Sequence, residues 1–205
     1  MNKGVVTTKK EQSPKKSEEM RSSHWLFSRR GPAFLDPVSR LFDHPVKKVG
    51  PYIKKGHVVA DIGCGWGYYS FALVDLVGPE GKVYSVDLAK KCIHEIQKRA
   101  EKRGYHNIEV HVSTAADLSF ISDRSVDFVF ANGLLCSMAI DRQSAVNEMK
   151  RILKPAAMAY LSLGFPPPFG YVDQPEWEDI LSGFKVERGG SFKELWALVS
   201  LKQEV

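Results

Sequence analysis

Between residues 57 and 202, short apolar runs alternate with stretches in which apolar residues recur at helical spacing. The apolar runs predict five buried strands, at residues 58–62, 83–86, 108–112, 126–131 and 158–163. The amphipathic stretches predict helices at residues 68–77, 89–103 and 141–153. Strands that alternate with helices of about 10 to 15 residues are typical of βαβ units. The pattern therefore predicts an α/β fold, with a parallel sheet covered by helices on both faces.

The end of the chain follows a different pattern. A short helix is predicted at residues 177–181, and two apolar runs follow it at residues 184–187 and 195–199. The seven residues between those runs include Gly189 and Gly190 and are too few for a crossover helix. The last two strands are therefore predicted to be antiparallel.

The chain before residue 57 differs in composition from the rest. Residues 1–23 are rich in Lys, Glu and Ser and poor in large apolar groups, which predicts a disordered basic tail. Between residues 38 and 53 apolar residues recur at roughly helical spacing, interrupted by Pro45 and Pro51. Three regions are therefore predicted: the tail at 1–23, a lid or helical segment at 24–56, and one folded domain at 57–205.

The formal net charge of +5 comes from the tail. Residues 1–30 contain eight Lys or Arg and three Asp or Glu, whereas residues 31–205 contain 21 of each sign. The folded part therefore offers no broad basic surface for nucleic acid. The three cysteines form no C-x-x-C pair, and no run approaches the roughly 18 apolar residues of a membrane span. The N-terminal residues include lysines but no apolar run before a small-residue cleavage site, so they are not expected to be a secretory signal. These features predict a cytoplasmic protein in a reducing compartment, without a structural metal.

A glycine-rich turn joins the first predicted strand to its helix. Gly63, Gly65 and Gly67 allow the backbone to turn sharply and to approach a ligand closely. The helix that follows has unpaired amides and a partial positive charge at its first turn. Asp87 ends the second strand, about twenty residues further on, where a carboxylate can accept hydrogen bonds from both hydroxyls of a ribose. The turn predicts a nucleotide site; the alternative is that its glycines serve packing alone.

The glycine spacing separates two classes of ligand. Dinucleotide-binding proteins have the pattern G-x-G-x-x-G, and the position of its third glycine is Tyr68 here. That difference counts against a nicotinamide-dependent dehydrogenase. The segment Asp61–Gly67 instead resembles the first motif of the class I S-adenosylmethionine-dependent methyltransferases, [D/E]-x-G-x-G-x-G.

Four further segments resemble that family in the same order along the chain. Asp87 and Leu88 stand where the family has its ribose-binding acid, and residues 116–118 resemble the segment whose Asp meets the adenine amino group. Asn132 and Gly133 end the fourth strand, where backbone groups meet the methionine part of the cofactor. Residues 148–155 resemble the stretch E-x-x-R-x-L-K-P, a scaffold element before the fifth strand. The resemblance covers about residues 38–202 and is closest to the small, single-domain, type-11-like members.

The resemblance implies a Rossmann-like, doubly wound sheet of seven strands in the order 3-2-1-4-5-7-6. It implies S-adenosyl-L-methionine as cofactor and S-adenosyl-L-homocysteine as product. No metal is predicted, because His106 and His111 lack the spacing of metal ligands. The cofactor-binding residues that the resemblance implies are Asp61, Gly63, Cys64, Gly65, Gly67, Asp87, Leu88, Ala116, Asp117, Leu118, Asn132 and Gly133.

No catalytic residue is assigned, because methyl transfer to an acceptor that is already nucleophilic needs positioning and no base. Many relatives carry histidines after the fourth strand, where this chain has Leu134, Leu135, Cys136, Ser137 and Met138. Residues near the reactive edge are expected to be Tyr68, Tyr69, Cys136, Ser137, Met138 and the segment 164–171. The proline run at 166–168 is interpreted as a stiff loop beside the acceptor.

The acceptor is predicted to be a small molecule. RNA or protein as acceptor, and a non-catalytic cofactor-binding sensor or partner subunit, remain alternative hypotheses. The aromatic and basic segment at residues 25–30 is interpreted as a lid over the cofactor, as a contact for anionic lipid or RNA, or as a piece packed on the domain. The sequence does not indicate an oligomeric state.

Overall fold

The computed structural model describes residues 47, 49–135, 142–163, 172–190 and 195–202. The predicted tail at 1–23, the interpretations of residues 25–30, and the expectations for residues 136–138 and 164–171 lie outside these residues. The strands are β1 Val58–Ile62, β2 Lys82–Asp87, β3 Ile108–Val112, β4 Val126–Ala131, β5 Leu153–Ser162, β6 Phe184–Gly190 and β7 Trp196–Leu201. The helices are α1 Tyr68–Val77, α2 Lys90–Arg103, α3 Arg142–Ile152 and α4 Gln174–Ser182, with a 3-10 turn at Gly50–Tyr52.

The seven strands form one sheet in the order β3-β2-β1-β4-β5-β7-β6. The strands β1 to β5 pair in parallel, whereas β7 is antiparallel to both β5 and β6. The predicted fold class, strand order and antiparallel end are therefore confirmed. In the sheet β1 lies between β2 and β4: the chain passes from β1 to β2 on one side, and from β3 it crosses back past β1 to β4 on the other side. This switch point opens a crevice at the carboxyl ends of the parallel strands.

Helices cover both faces of the sheet because the central strands alternate large apolar residues between the faces. In β4, Phe128 and Phe130 are fully buried in a cluster with α1, whereas Val129 and Ala131 are fully buried in a cluster with α3 and α4. This alternation follows from the two-residue period of a strand. The core is thus built on both faces of β4 and β1, which fixes the strand ends where the crevice opens.

The connection from β3 to β4 has no covering helix. Residues 113–125 are described throughout and form turns, without helix or strand. This connection carries the predicted site residues 116–118, so their position depends on contacts with other parts of the fold.

Several boundaries differ from the sequence prediction: those of β2, α2, α4, β6 and β7 by up to three residues, and the junction of α3 and β5 by more. The helix predicted to run to Leu153 ends at Ile152, and β5 begins at Leu153 rather than at Met158. The early start arises because Leu153 pairs with Val126, after which the register shifts before Met158 pairs with Phe128. Pro155 falls within this irregular part, where the missing amide removes no regular ladder bond.

The segment before β1 packs on the domain. Val49 is fully buried and Ile53 nearly so, in the same cluster as α1. Pro51 lies in the first turn of a short 3-10 helix, Gly50–Tyr52, where a proline is favourable. Across the described ranges, no helix has the length and apolar character needed to cross a membrane.

Candidate cofactor site

The glycine turn after β1 is fixed on both sides by hydrogen bonds. The amides of Gly63 and Cys64 donate to the carbonyl oxygen of Val86 in β2, at 2.8 and 3.0 Å. On the other side, Arg99 Nη1 of α2 donates to the carbonyl oxygen of Trp66 at 2.9 Å. The turn is therefore held in one shape by β2 and α2 before any ligand binds.

Asp87 connects the turn to the next helix. Its Oδ2 accepts from the Gly65 amide at 2.9 Å, and its Oδ1 accepts from the amide of Ala89, the N-terminal cap of α2, at 2.8 Å. An ionised carboxylate has about four acceptor positions, so two bonds leave capacity for two ribose hydroxyls. Asp87 thus shapes the turn, in addition to the ribose role that the sequence predicts.

The three glycines of the turn have different surroundings. All three have positive φ, at 78° for Gly63, 51° for Gly65 and 75° for Gly67. A Cβ on Gly63 would lie 2.9 Å from Leu134 Cδ1, and one on Gly67 would lie 2.6 Å from Ile96 Cγ1. A Cβ on Gly65 would have no atom within 4 Å. Close packing therefore accounts for Gly63 and Gly67, whereas Gly65 faces open space in which a ligand can lie against the backbone.

Asp61, the last residue but one of β1, is a buried acid beneath this turn. It is only 2% exposed, and its Oδ2 accepts from Ser70 Oγ of α1 at 2.6 Å. Burial raises the pKa of Asp61 to about 7, the Ser70 hydrogen bond opposes that rise, and the charge of Asp87 adds to it. A cationic ligand would favour the ionised form of this acid, whereas the phosphates of a dinucleotide would oppose it.

Apolar side chains flank the crevice at the ends of β2 and β3. Leu88 and Val112 are each 46% exposed, and Val112 pairs in register with Asp87. Exposed aliphatic groups on either side of a crevice can contact the faces of a flat ring. Sequence reasoning included Leu88 but missed Val112, whose signal is its place at the carboxyl end of β3.

The segment 116–118 lies in the loop that follows β3. Asp117 is exposed, and its Oδ1 accepts from the Ser119 amide at 3.3 Å. Hydrogen bonding by Ser119 lowers the pKa of Asp117 below its usual value. The side chain of Leu118 is fully buried in the core, so this residue can face a ligand through its backbone alone.

The end of β4 is held by a buried serine of β5. Ser162 Oγ donates to Asn132 Oδ1 at 2.9 Å, and the Gly133 amide donates to Ser162 Oγ at 3.1 Å. Sequence reasoning missed Ser162, because a serine at the end of an apolar strand belongs to no motif.

Two tyrosines expected at the reactive edge pack against other rings. The Tyr69 and Phe130 rings lie 5.3 Å apart, and the Tyr68 ring lies 4.8 Å from that of Tyr69. The thiol of Cys64 is buried, and burial raises its pKa well above the ordinary value. The ring contacts give the two tyrosines packing roles, whereas the cofactor-binding role of Cys64 stays a prediction. Within the described ranges, no cluster of His, Cys, Asp and Glu is arranged to hold a metal ion.

Residues 53–162 match the family model described as a methyltransferase domain. The chain belongs to this methyltransferase family. The family and the fold confirm the predicted class, the S-adenosylmethionine-dependent methyltransferases, with S-adenosylmethionine as cofactor and S-adenosylhomocysteine as product. The individual cofactor-binding residues remain predictions.

Curated relatives of this methyltransferase include demethylmenaquinone methyltransferases. The protein of that name from Geobacillus stearothermophilus is 32% identical over 120 residues, which cover 58% of this chain and 50% of that protein. The protein from Listeria innocua is 26% identical over 133 residues, or 64% of this chain and 53% of that protein. The chain thus spans about half the length of the curated relatives it matches.

Solved structures share the fold. A SAM-dependent methyltransferase from Aquifex aeolicus superposes with a TM-score of 0.71 at 24% identity, covering 94% of this chain and all of that one. The [4+2]-cyclase SpnF superposes with a TM-score of 0.61 at 17% identity, covering 71% and 59%. A cyclase among these structures illustrates that the fold does not by itself define the chemistry.

Proposed function

We propose that this methyltransferase transfers a methyl group from S-adenosylmethionine to a small, largely apolar acceptor at the crevice between β1 and β4. The observation that carries the cofactor site is the open space beside Gly65, next to the carboxylate of Asp87 and above the buried Asp61. When bound, S-adenosylmethionine supplies an electrophilic methyl group on a positively charged sulfur.

The residues around the crevice suit the parts of that cofactor. Asp87 accepts from the ribose hydroxyls while it holds Gly65, and Leu88 and Val112 contact the adenine ring. The two carboxylates, Asp61 and Asp87, favour a ligand with a cationic methionine end. Asn132 and Gly133, fixed by Ser162, bind that methionine end. The protein then contributes alignment, which supplies several kcal/mol in reactions of this kind.

A cavity beside the antiparallel strands supports an apolar acceptor. It has a volume of about 340 Å³ and lies between α4 and the pair β6–β7, with Trp177, Leu181, Val186 and Trp196 in its wall. Trp196 of β7 pairs with Ser162 of β5, and β5 lies beside β4, which Asn132 follows. Two strand spacings therefore separate Trp196 from Asn132, a distance of roughly 10 Å. The names of the curated relatives favour a quinone acceptor of the demethylmenaquinone type.

Labelled S-adenosylmethionine tests the acceptor directly. We expect label to appear in demethylmenaquinone, or in a small apolar compound of a fractionated cell extract. Label found only in RNA or protein would reject the small-molecule acceptor. Binding of S-adenosylhomocysteine without transfer to any fraction would support the sensor hypothesis instead.

Two glycine substitutions separate binding from packing. Gly65→Ala is expected to cost about 1–2 kcal/mol of stability, because of its left-handed backbone, and to weaken S-adenosylhomocysteine binding at least tenfold, by filling the open space. Gly67→Ala is expected to destabilise more, because its Cβ meets Ile96 at 2.6 Å. Urea unfolding and calorimetric titration measure the two quantities. Wild-type affinity in folded Gly65→Ala protein would refute this location of the cofactor.

A substitution in the cavity wall tests the acceptor site. Val186 is 48% exposed and lines the cavity, so Val186→Glu is expected to raise the acceptor KM about tenfold through the loss of one apolar contact. The affinity for S-adenosylhomocysteine should not change. Lys185→Gln, at the neighbouring exposed position of β6, is the matched control. An unchanged KM in Val186→Glu would place the acceptor elsewhere.

A further inference from the structure

An ion pair at the end of α3 holds both backbone groups of Leu118. Glu148 Oε2 accepts from the Leu118 amide at 2.8 Å, and Arg151 Nη2 donates to the Leu118 carbonyl oxygen at 2.9 Å. The two side chains also bind each other, with Arg151 Nε to Glu148 Oε1 at 2.7 Å and Nη2 to Oε2 at 2.9 Å. One bidentate pair thus fixes a residue thirty positions earlier in the chain.

Arg151 holds the same loop at two further points. Its Nη1 donates to the carbonyl oxygen of Ile121 at 2.9 Å and to Asp123 Oδ1 at 2.5 Å. The side chain of Ile121 is fully buried in the core, like that of Leu118. The loop is therefore attached to α3 from residue 118 to residue 123.

These contacts take the place of the regular backbone hydrogen bonds that a strand or helix would provide. Residues 113–125 contain neither, so their backbone groups need other partners where they are buried. Asp117, directly before the attached segment, has local hydrogen bonds: its carbonyl oxygen accepts from Ser113 Oγ at 2.8 Å, and its Oδ1 accepts from the Ser119 amide. The placement of Asp117 relative to the crevice therefore depends on where Leu118 is fixed.

We propose that Glu148 and Arg151 are positioning residues for the adenine base, and that they set the preference of the site for adenine over other purines. The inference rests on the proposed function, together with the sequence-based prediction that residues 116–118 meet the edge of the adenine base. It gives the stretch Glu148–Pro155, which the sequence predicts to be a scaffold before β5, a part in cofactor recognition.

The pair has the geometry of a strong interaction. The side chains of Arg151 and Glu148 are 27% and 21% exposed, and the bidentate arrangement is stronger than an isolated surface ion pair. The guanidinium of Arg151 holds the pKa of Glu148 below its usual value. The carboxylate is therefore ionised throughout the neutral range, and the effect proposed here is independent of pH between 6 and 8.

The test compares two ligands by calorimetric titration of the full chain. S-adenosylhomocysteine carries the adenine amino group, and S-inosylhomocysteine has an oxygen in its place. The wild-type protein should prefer the former about tenfold, the value of roughly one hydrogen bond. In Glu148→Ala the preference should fall to about twofold, because Glu148 no longer holds the Leu118 amide and residues 116–118 are no longer fixed beside the adenine base. Glu148→Gln keeps an oxygen for the Leu118 amide and should retain most of the preference.

Lys154→Met is the matched control. Lys154 belongs to the same stretch and pairs with Asp127 at 2.6 Å, without a hydrogen bond to the loop among the described contacts. This variant should keep the wild-type preference. Equal loss of preference in Lys154→Met and Glu148→Ala would show a general effect of stability and overturn the proposal.

Hydrogen exchange of the Leu118 amide gives a second readout. Exchange should accelerate in Glu148→Ala and stay unchanged in Lys154→Met. Should Glu148→Ala fail to fold, Arg151→Lys carries both measurements, since lysine cannot bridge the Leu118 and Ile121 carbonyls together. A wild-type preference in folded Glu148→Ala or Arg151→Lys protein overturns the inference alone, whereas a wild-type protein that binds neither ligand overturns the proposed function itself.

Discussion

Replacing Asp87 by alanine is expected to weaken S-adenosylhomocysteine binding about a hundredfold. A hydrogen bond to a charged acceptor contributes about 1.5 kcal/mol or more, and two ribose hydroxyls lose such a bond together. A loss of about 2.8 kcal/mol corresponds to a hundredfold change in Kd. The same substitution removes the acceptor for the Gly65 and Ala89 amides, so the turn itself becomes less ordered.

Asp87→Asn separates these two contributions. Its side-chain oxygen can still accept one of the two amides, while the charge and part of the ribose bonding are lost, so an intermediate affinity is expected. Asp75→Ala is the control, because Asp75 is an acid of α1 whose Oδ1 accepts from the Tyr105 hydroxyl at 2.7 Å. Titration calorimetry supplies the Kd values. An Asp87→Ala protein that is folded and binds within about threefold of wild type would remove Asp87 from the site.

Local sequence signals were sufficient to predict most of the strands and helices of the fold. The strands β1, β3 and β4 and the helix α1 begin and end where their apolar patterns predict, because each pattern reflects burial on one sheet. The sheet order came from the resemblance to the family rather than from periodicity. The glycine turn and Asp87 could be predicted as site residues because the roles that the resemblance implies need particular residue types at a fixed spacing.

The remaining contacts depend on partners that sequence spacing does not reveal. Ser162 holds the end of β4 from β5, and Glu148 reaches Leu118 across thirty residues. Neither contact follows from a local sequence pattern, because each depends on how α3 and β5 pack in the folded protein. The early start of β5 has the same origin, because the pairing of Leu153 with Val126 extends the strand beyond its apolar run.

Asp61→Asn is expected to stabilise the ligand-free protein above neutral pH. The folded-state pKa of about 7 lies above the ordinary value of 3.8, so the folded protein retains a proton that the unfolded chain releases between those values. The free energy of unfolding of the wild-type protein therefore falls as the pH rises from about 4 to about 7, and above pH 7 it stays at this lower level. Asparagine keeps an acceptor for Ser70 and carries no charge, so it avoids this loss.

The size of the effect follows from the shift of the pKa. A shift of this extent corresponds to about 2–4 kcal/mol, which amounts to a Tm difference of about 5 to 10 °C for a domain of this size. The Tm of Asp61→Asn minus that of wild type should be small near pH 4, increase through pH 7 and then level off. Thermal unfolding between pH 4 and 9 measures this curve. A difference independent of pH would contradict a raised pKa for Asp61.

The same substitution should weaken the cofactor site while it stabilises the fold. The α-ammonium group of S-adenosylhomocysteine favours ionised Asp61, so wild-type affinity for this ligand should increase between pH 6 and 8 as the acid loses its proton. Asp61→Asn should bind more weakly, and its affinity should vary little over that range. Ser70→Ala serves as the opposing control, because loss of its hydrogen bond moves the pKa of Asp61 further up and the binding transition to higher pH. Stability and binding would then change in opposite directions at a single side chain, as expected for an acid buried to meet a positively charged ligand. Parallel losses of both in Asp61→Asn would instead identify Asp61 as a structural residue of the core.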